Sequence, residues 1–288
     1  MEMSRPPAVA GTFYNHDQSG LLRELEEAFL GPLGPGKLPE ASPTRLGRVV
    51  GLVSPHAGYV YSGYAAATAF SALAEDGVPD VAIIIGPNHR GLGIPAATME
   101  QGKWETPLGE IRIDGDVTAC LLRNCPYLQA DASAHRLEHS VEVQVPFLQF
   151  ISGSLTRIVP ITIAVAATSE AKVLADSLGG AIADALRGRS AVVIASTDMT
   201  HYESKAAARQ KDEAAIEAVL SLDAGRLLDV VSGRRISMCG AVPTAVALVA
   251  CKEMGADGAE LLRYYTSGDI TGEADQVVGY AALKIVRD

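Results

Sequence analysis

The chain has 288 residues, 48% of them hydrophobic, and its 24 lysines and arginines against 34 aspartates and glutamates give a net charge of −10. A chain of this length can bury a large core, and its acidic balance, without any cluster of basic residues, argues against a nucleic-acid-binding surface. No apolar run approaches the roughly 20 residues that span a bilayer, and the N-terminal stretch lacks the continuous apolar segment of a signal peptide. The four cysteines show no C-x-x-C spacing and are expected to be free thiols. We therefore expect a cytoplasmic protein with no membrane and no nucleic-acid partner.

Short apolar runs alternate with helical patterns along the chain, beginning with a helical spacing of apolar residues at 21–29. The runs have the length and the β-branched content of strands that are covered on both faces. Alternation of this kind predicts a single α/β domain over residues 1–288, with a central mixed or largely parallel sheet. The predicted strands are 49–54, 81–86, 157–163, 190–196 and 277–286, the predicted helices between them are 64–75, 170–186, 205–220 and 241–254, and 96–113 has the turn residues of a hairpin.

Three of the predicted strands end in loops that carry a histidine. His56 follows strand 49–54, His89 follows 81–86, and Asp198 and His201 follow 190–196. Ligands of open α/β sheets bind at the carboxyl ends of the strands, and imidazole is both the commonest metal ligand and the usual general base near neutral pH. Taken singly, each histidine also fits a polar loop residue or a helix cap. Taken together, they predict a site at one edge of a sheet in which these strands are neighbours.

Cys239 lies just before an apolar helix that begins near Ala241. The helix dipole would favour its thiolate as a ligand or nucleophile, although a small buried residue is an equally good interpretation. The remaining thiols, Cys120, Cys125 and Cys251, fit buried or unreactive positions. We therefore expect Cys239 to be the only strongly reactive thiol.

The stretch HRLEHSVEVQVPF at 135–147 contains two histidines and two glutamates. If it is helical, His135 and His139 share a face and Glu142 lies one turn beyond His139. The order is not the HExxH of zinc proteases, and a solvated helix start is the better interpretation of the spacing, although a glutamate often accepts a hydrogen bond from a ligand histidine. The chain lacks a GxxxxGK[ST] loop, a GxGxxG after a strand and a GxSxG elbow. A nucleotide cofactor and an α/β-hydrolase mechanism are therefore disfavoured.

A series of motifs runs from residue 5 to about 284: RPPAVAGTFY, SPHAGYVYSG, GPNHRG, W-x-TPLG, EHSVEVQVPFL, STDMTHY, the Met-Cys-Gly at 238–240, and YYTSGD followed by VVGYAA. Together these motifs resemble the Memo family, whose bacterial and archaeal members form the B component of the AmmeMemoRadiSam system. The resemblance implies a LigB-like αβα sandwich related to the class III extradiol dioxygenases, which use a non-haem iron. It also implies a pocket lined by His56, His89, Cys239 and the pair Asp198 and His201.

Three functions remain open on the sequence. The first is a metal-dependent redox or dioxygenase-like enzyme that binds iron or copper through His56, His89 and Cys239, with Asp198 and His201 as catalytic groups. The resemblance implies AMMECR-type and radical SAM proteins as its partners, and a thiolate ligand would favour softer or redox-active metals such as copper. The second is an adaptor that uses the same pocket to bind a peptide or small molecule, as the likeness to animal Memo proteins implies. The third is a metal-free hydrolase or transferase with Cys239 as nucleophile and His201 as base.

Overall fold

A computed structural model describes residues 3–166 and 169–288 of the chain. The strands in these residues are β1 (Ser4–Arg5), β2 (Val49–Ser54), β3 (Val81–Pro87), β4 (Ala96–Thr98), β5 (Lys103–Thr106), β6 (Gly109–Arg112), β7 (Gln129–Ala130), β8 (Arg157–Ile163), β9 (Ala191–Ser196), β10 (His201–Glu203), β11 (Gly258–Thr266) and β12 (Val277–Val286). The α-helices are α1 (Gln18–Leu30), α2 (Tyr59–Asp76), α3 (Gly115–Asn124), α4 (Gln144–Ser152), α5 (Ser169–Ala185), α6 (Lys205–Leu220), α7 (Ala224–Gly233), α8 (Ala241–Glu253) and α9 (Gly268–Thr271), and a 3-10 helix spans Ala132–His135. None of these helices is long and apolar enough to cross a membrane.

The main sheet is mixed, with the strand order β10-β12-β2-β9-β3-β8-β4-β7, and β11 pairs with β12. Its centre is parallel, because β9 pairs in parallel with both β2 and β3, and β3 pairs in parallel with β8. Strand β12 is antiparallel to β2, and β4 is antiparallel to β8. The three strands that lead to the histidine loops are therefore direct neighbours, as the sequence predicted, and their carboxyl ends meet at one edge.

Successive side chains of a strand point to opposite faces of the sheet, so an apolar strand has to be covered on both faces. Helices provide this cover on each side. In β3, Ile83 and Ile85 enter the core that is formed with α3 and α5 to α8. Ile84 enters the opposite core, which is formed with α1, α2 and α4. Each fully buried aliphatic side chain stabilises the fold by about 1.5–3 kcal/mol relative to an exposed one. The predicted α/β sandwich with helices on both sides is confirmed.

Several sequence-predicted boundaries match the structure closely, whereas others are corrected. The hairpin predicted within 96–113 is formed by β5 and β6, which pair antiparallel, but β4 leaves it to join the main sheet. Strand β11 was not predicted, because its sequence GAELLRYYT mixes charged and apolar residues and most of the strand is only partly buried.

A continuous helix through His135 and His139, which the sequence left open as one alternative, does not form. The 3-10 helix ends at His135 and α4 begins only at Gln144. Between them, Glu138 accepts the backbone N–H groups of His139 and Ser140 through its own side chain. A side chain that takes up backbone donors in this way offers the chain an alternative to helical hydrogen bonds, so the segment forms a loop.

Candidate metal site

Three histidines meet in a cleft of about 470 Å³ at the carboxyl edge of the main sheet. His56 follows β2, His89 follows β3, and His139 lies in the loop before α4. Their ring centroids are 5.2 Å apart for His56 and His89, 5.5 Å for His56 and His139, and 4.7 Å for His89 and His139. The sequence pattern therefore predicted two members of this cluster correctly as neighbours, and the structure adds the third.

The spacing of the three imidazoles fits a metal ion after a small contraction. One ring nitrogen from each histidine lies within 4.8 Å of the other two. Two nitrogens that each lie about 2.1 Å from a shared ion are at most about 4.2 Å apart. Three nitrogens equally spaced around one ion are at most about 3.6 Å apart, so a closure of up to about 1.2 Å, by rotation of the side chains, would bring all three to bonding distance.

Glu138 lies behind two of the histidines and orients one of them, His89. Its carboxylate accepts from Nδ1 of His89 at 3.0 Å, and Nδ1 of His139 lies 3.1 Å from the same oxygen. Burial works against ionisation of Glu138, but the close approach of His139 and His89 outweighs it and holds the pKa of this carboxyl well below its usual range. Because Nδ1 of His89 donates to a carboxylate, its Nε2 carries the lone pair that a metal would need.

His56 is the buried member of the cluster, with 2% of its surface exposed. Its backbone N–H donates to Asp198, its Nδ1 lies 2.8 Å from the Ser196 hydroxyl, and its Nε2 lies 3.3 Å from Sγ of Cys239. Burial, followed by the neighbouring His139 and His89, lowers the pKa of His56 well below its usual value. The ring is therefore neutral near pH 7, which is the form that binds metals.

Cys239 contacts His56 but does not behave as the sequence led us to expect. Among the described residues, the group of three with mutually close ligand atoms contains His139 and not Cys239. Burial of the thiol, followed by the charge of Asp198, raises the pKa of Cys239, which is the opposite of the shift expected from the helix N-terminus. We therefore no longer expect a strongly nucleophilic thiol at this position in the metal-free protein.

Asp198 and His201 both line the cleft, as the sequence predicted. No hydrogen bond joins their side chains within the part of the chain that the structure describes. Asp198 is buried and accepts the backbone N–H of His56, and burial raises the pKa of its carboxyl. Nδ1 of His201 donates to the backbone carbonyl of Ser237 at 2.9 Å. The imidazole that contacts Cys239 belongs to His56. The hypothesis of a cysteine hydrolase had instead assigned the role of base to His201.

The N-terminal strap, residues 4–15, closes one side of the cleft. The ring of Phe13 lies 4.6 Å from that of His139, and the carbonyl of Phe13 accepts the backbone N–H of Tyr59 at the start of α2. The strap is fastened by Glu142, which pairs with Arg5 in the interior. Glu142 therefore holds the strap and does not lie on a helical face with His139.

His139 and Glu138 are the functional candidates that the sequence interpretation did not select as part of the site. The available signal was the adjacent Glu-His pair in the motif EHSVEVQVPFL. On a helix, which the spacing of the two histidines left open, adjacent residues point in different directions, and the pair was therefore not selected.

The comparisons with known proteins agree with this architecture. The model of the family described as Memo-like protein matches residues 5–284. A MEMO1 family protein of Methanopyrus kandleri is 46% identical over 285 residues, which covers 98% of each chain, and one of Ignicoccus hospitalis is 46% identical over 280 residues, which covers 97% of this chain and 98% of the other. Among solved structures, an uncharacterised protein of Escherichia coli K12 shares the fold with a TM-score of 0.52 at 13% identity, over 83% of this chain and 100% of the other. The chain belongs to the Memo family.

Proposed function

We propose that the cleft binds one iron or copper ion and that the protein is a metal-dependent redox enzyme of the dioxygenase-like type. The observation that supports this proposal is the cluster of three imidazoles whose ligand atoms lie within 4.8 Å of one another. His56 and His89 belong both to this cluster and to the ligand set expected from the family resemblance. A bound ion with three protein ligands and an open position would polarise a substrate or exchange electrons with it.

The third ligand decides which metal the site prefers. With His139, three nitrogen donors would suit iron, copper or zinc. With Cys239, whose Sγ lies 3.3 Å from Nε2 of His56, a thiolate would favour copper. The raised pKa of Cys239 means that this thiol has to lose its proton when it binds a metal, so we assign the resting third position to His139 and propose Cys239 as the ligand that copper recruits.

The other residues of the cleft would bind, orient and move protons. Glu138 holds the ring of His89, and the strap residue Phe13 limits water access beside His139. Asp198, whose pKa is raised by burial, and His201, whose Nδ1 is committed to the Ser237 carbonyl, would exchange protons with a substrate in the cleft. The family resemblance supports AMMECR-type and radical SAM proteins as partners of this activity.

Metal titration of purified variants tests the proposal. After removal of metals, the parent protein should bind one Fe(II) or copper ion per chain, and His56→Ala and His89→Ala should each weaken binding at least tenfold. His139→Ala should weaken Fe(II) binding strongly, because it removes the third nitrogen. His16→Ala, which removes an exposed histidine outside the cleft, is the control and should bind as the parent does.

If His56→Ala and His89→Ala bind metal as tightly as the parent, the site is elsewhere or absent. In that case the second candidate, an adaptor that binds a peptide or small molecule in the same cleft, would replace the first. Tyr202 supports this alternative, because it lines the cleft, exposes 73% of its surface and has a φ of 57°. A tyrosine held in the left-handed region is uncommon, and such strain is concentrated at functional positions.

A further inference from the structure

We infer that Ser196 is a positioning residue that fixes the tautomer of His56. The tautomer claim rests only on hydrogen bonds in the described part of the chain, whereas its consequence for metal affinity rests on the proposed function. Ser196 is the last residue of β9, and its hydroxyl is the neighbour of Nδ1 of His56.

The orientation of the Gln144 side chain is set by backbone carbonyls. Its Nε2 lies 2.8 Å from the carbonyl oxygen of Pro55 and 3.4 Å from that of Ser54. Both are acceptors only, so the amide nitrogen and not the amide oxygen faces them. The second hydrogen of this NH₂ group is then available for the Ser196 hydroxyl, which lies 2.9 Å away.

The single hydrogen of the Ser196 hydroxyl is committed as well. Its Oγ lies 2.6 Å from the carbonyl oxygen of Ser140, which can only accept, so Ser196 donates there. One of its lone pairs receives the hydrogen from Gln144. The remaining lone pair faces Nδ1 of His56 at 2.8 Å, and this nitrogen therefore has to carry a hydrogen.

The consequence falls on the other ring nitrogen. With the proton on Nδ1, Nε2 of neutral His56 carries the lone pair and faces the cleft and Sγ of Cys239 at 3.3 Å. Ser140, Gln144 and Ser196 are all completely buried, so solvent cannot substitute for a missing partner. His56 is thus fixed by a neutral chain of hydrogen bonds, whereas His89 is fixed by the carboxylate of Glu138.

The first test is a long-range ¹H–¹⁵N NMR spectrum of the metal-free protein near neutral pH. We expect His56 to show a protonated Nδ1 and an unprotonated, pyridine-like Nε2. Ser196→Ala should mix or reverse the two tautomers and weaken Fe(II) binding about 10- to 100-fold, the usual effect of removing a group that orients a ligand histidine.

Two further variants separate positioning from general stability. Ser196→Thr keeps the hydroxyl and should restore both the tautomer and the Fe(II) affinity. Ser152→Ala removes a buried hydroxyl that donates to the carbonyl of Leu148, and it should change neither.

A protonated Nε2 in the metal-free parent protein overturns the inference, even if Ser196→Ala does not fold. So does a Ser196→Ala variant that keeps the parent tautomer and Fe(II) affinity. A parent protein with the expected tautomer that binds neither Fe(II) nor copper would contradict the proposed function and leave the role of Ser196 in place.

Discussion

Replacement of Glu142 by glutamine should destabilise the protein by about 3–5 kcal/mol, the usual cost of breaking a buried ion pair from one side. The carboxylate is completely buried, and it pairs with Arg5, whose side chain is only 4% exposed. The other hydrogen bonds of this guanidinium go to backbone carbonyls, among them those of His135 and Glu138. Within the described residues, Glu142 is its only carboxylate partner, so a neutral glutamine in its place would leave a buried positive charge uncompensated.

The same carboxylate also holds the strap by accepting hydrogen bonds from uncharged donors. It accepts the backbone N–H groups of Ala8 and Val9 and the hydroxyl of Tyr14. Burial, followed by the charge of Glu142, raises the pKa of Tyr14, so this hydroxyl keeps its proton and donates. A glutamine has one acceptor oxygen and would turn an NH₂ group toward some of these donors. The loss of these hydrogen bonds favours a destabilisation in the upper part of the range of about 3–5 kcal/mol.

The assay is reversible denaturation followed by tryptophan fluorescence. Trp104 is the single tryptophan of the chain, it is 1% exposed, and the Arg5 guanidinium carbon lies 4.2 Å from its ring centroid. Fluorescence therefore reports on the region that the substitution perturbs. The control is Asp229→Asn, which breaks an exposed ion pair with Lys172 and should cost no more than about 1 kcal/mol.

A double-mutant cycle with Arg5→Met completes the test. The double variant should be less destabilised than the sum of the two single variants by at least about 2 kcal/mol, because each single change leaves one charge buried without its partner. A loss below about 1 kcal/mol for Glu142→Gln, or simple additivity with Arg5→Met, would refute the reasoning.

Four further outcomes follow from the structure. Burial, followed by the charge of Arg5, lowers the pKa of His135 from 6.5 to about 3. As the pH falls, His135 therefore takes up a proton in the unfolded chain before it does so in the folded protein, and the free energy of unfolding should decrease between these two pH values. His135 adds up to about 1.4 kcal/mol per pH unit to the change of the free energy of unfolding with pH, and denaturation of His135→Gln between these pH values should lack this contribution. Gly279→Ala places a Cβ 2.0 Å from Oδ2 of buried Asp212 and should lower the free energy of unfolding by about 1–3 kcal/mol. The control is Gly258→Ala, whose added Cβ has its nearest neighbour at 3.4 Å and should not lower the free energy of unfolding. Cys239→Ser should weaken copper binding more than iron binding in parallel titrations, because it removes the soft donor, and equal losses would argue against a thiolate ligand. His201→Ala should leave the metal content unchanged by elemental analysis but impair turnover or ligand binding, and a loss of metal would instead make it a ligand.

The elements that the sequence predicted well are those whose burial leaves a direct trace in composition. Strands β2, β3 and β9 are covered on both faces and therefore read as continuous apolar runs. Because they are parallel neighbours, the loops that carry His56, His89 and His201 had to emerge at one edge, and local sequence was sufficient to predict their proximity.

The features that the sequence did not predict depend on contacts between distant segments. The loop at His139 exists because the side chain of Glu138 takes the place of helical hydrogen bonds, an outcome that periodicity does not encode. The pKa of Cys239 is raised by burial and by Asp198, which is brought across from another loop, and neither effect can be read from the position of Cys239 before a helix.

Anomalous diffraction from crystals of the protein loaded with iron or copper tests the central claim most directly. The account predicts a single strong peak in the cleft, about 2.0–2.2 Å from a ring nitrogen of His56 and of His89, with His139 or Cys239 as the third neighbour. A loaded crystal with no peak between these histidines, or with its metal at another position, would contradict it.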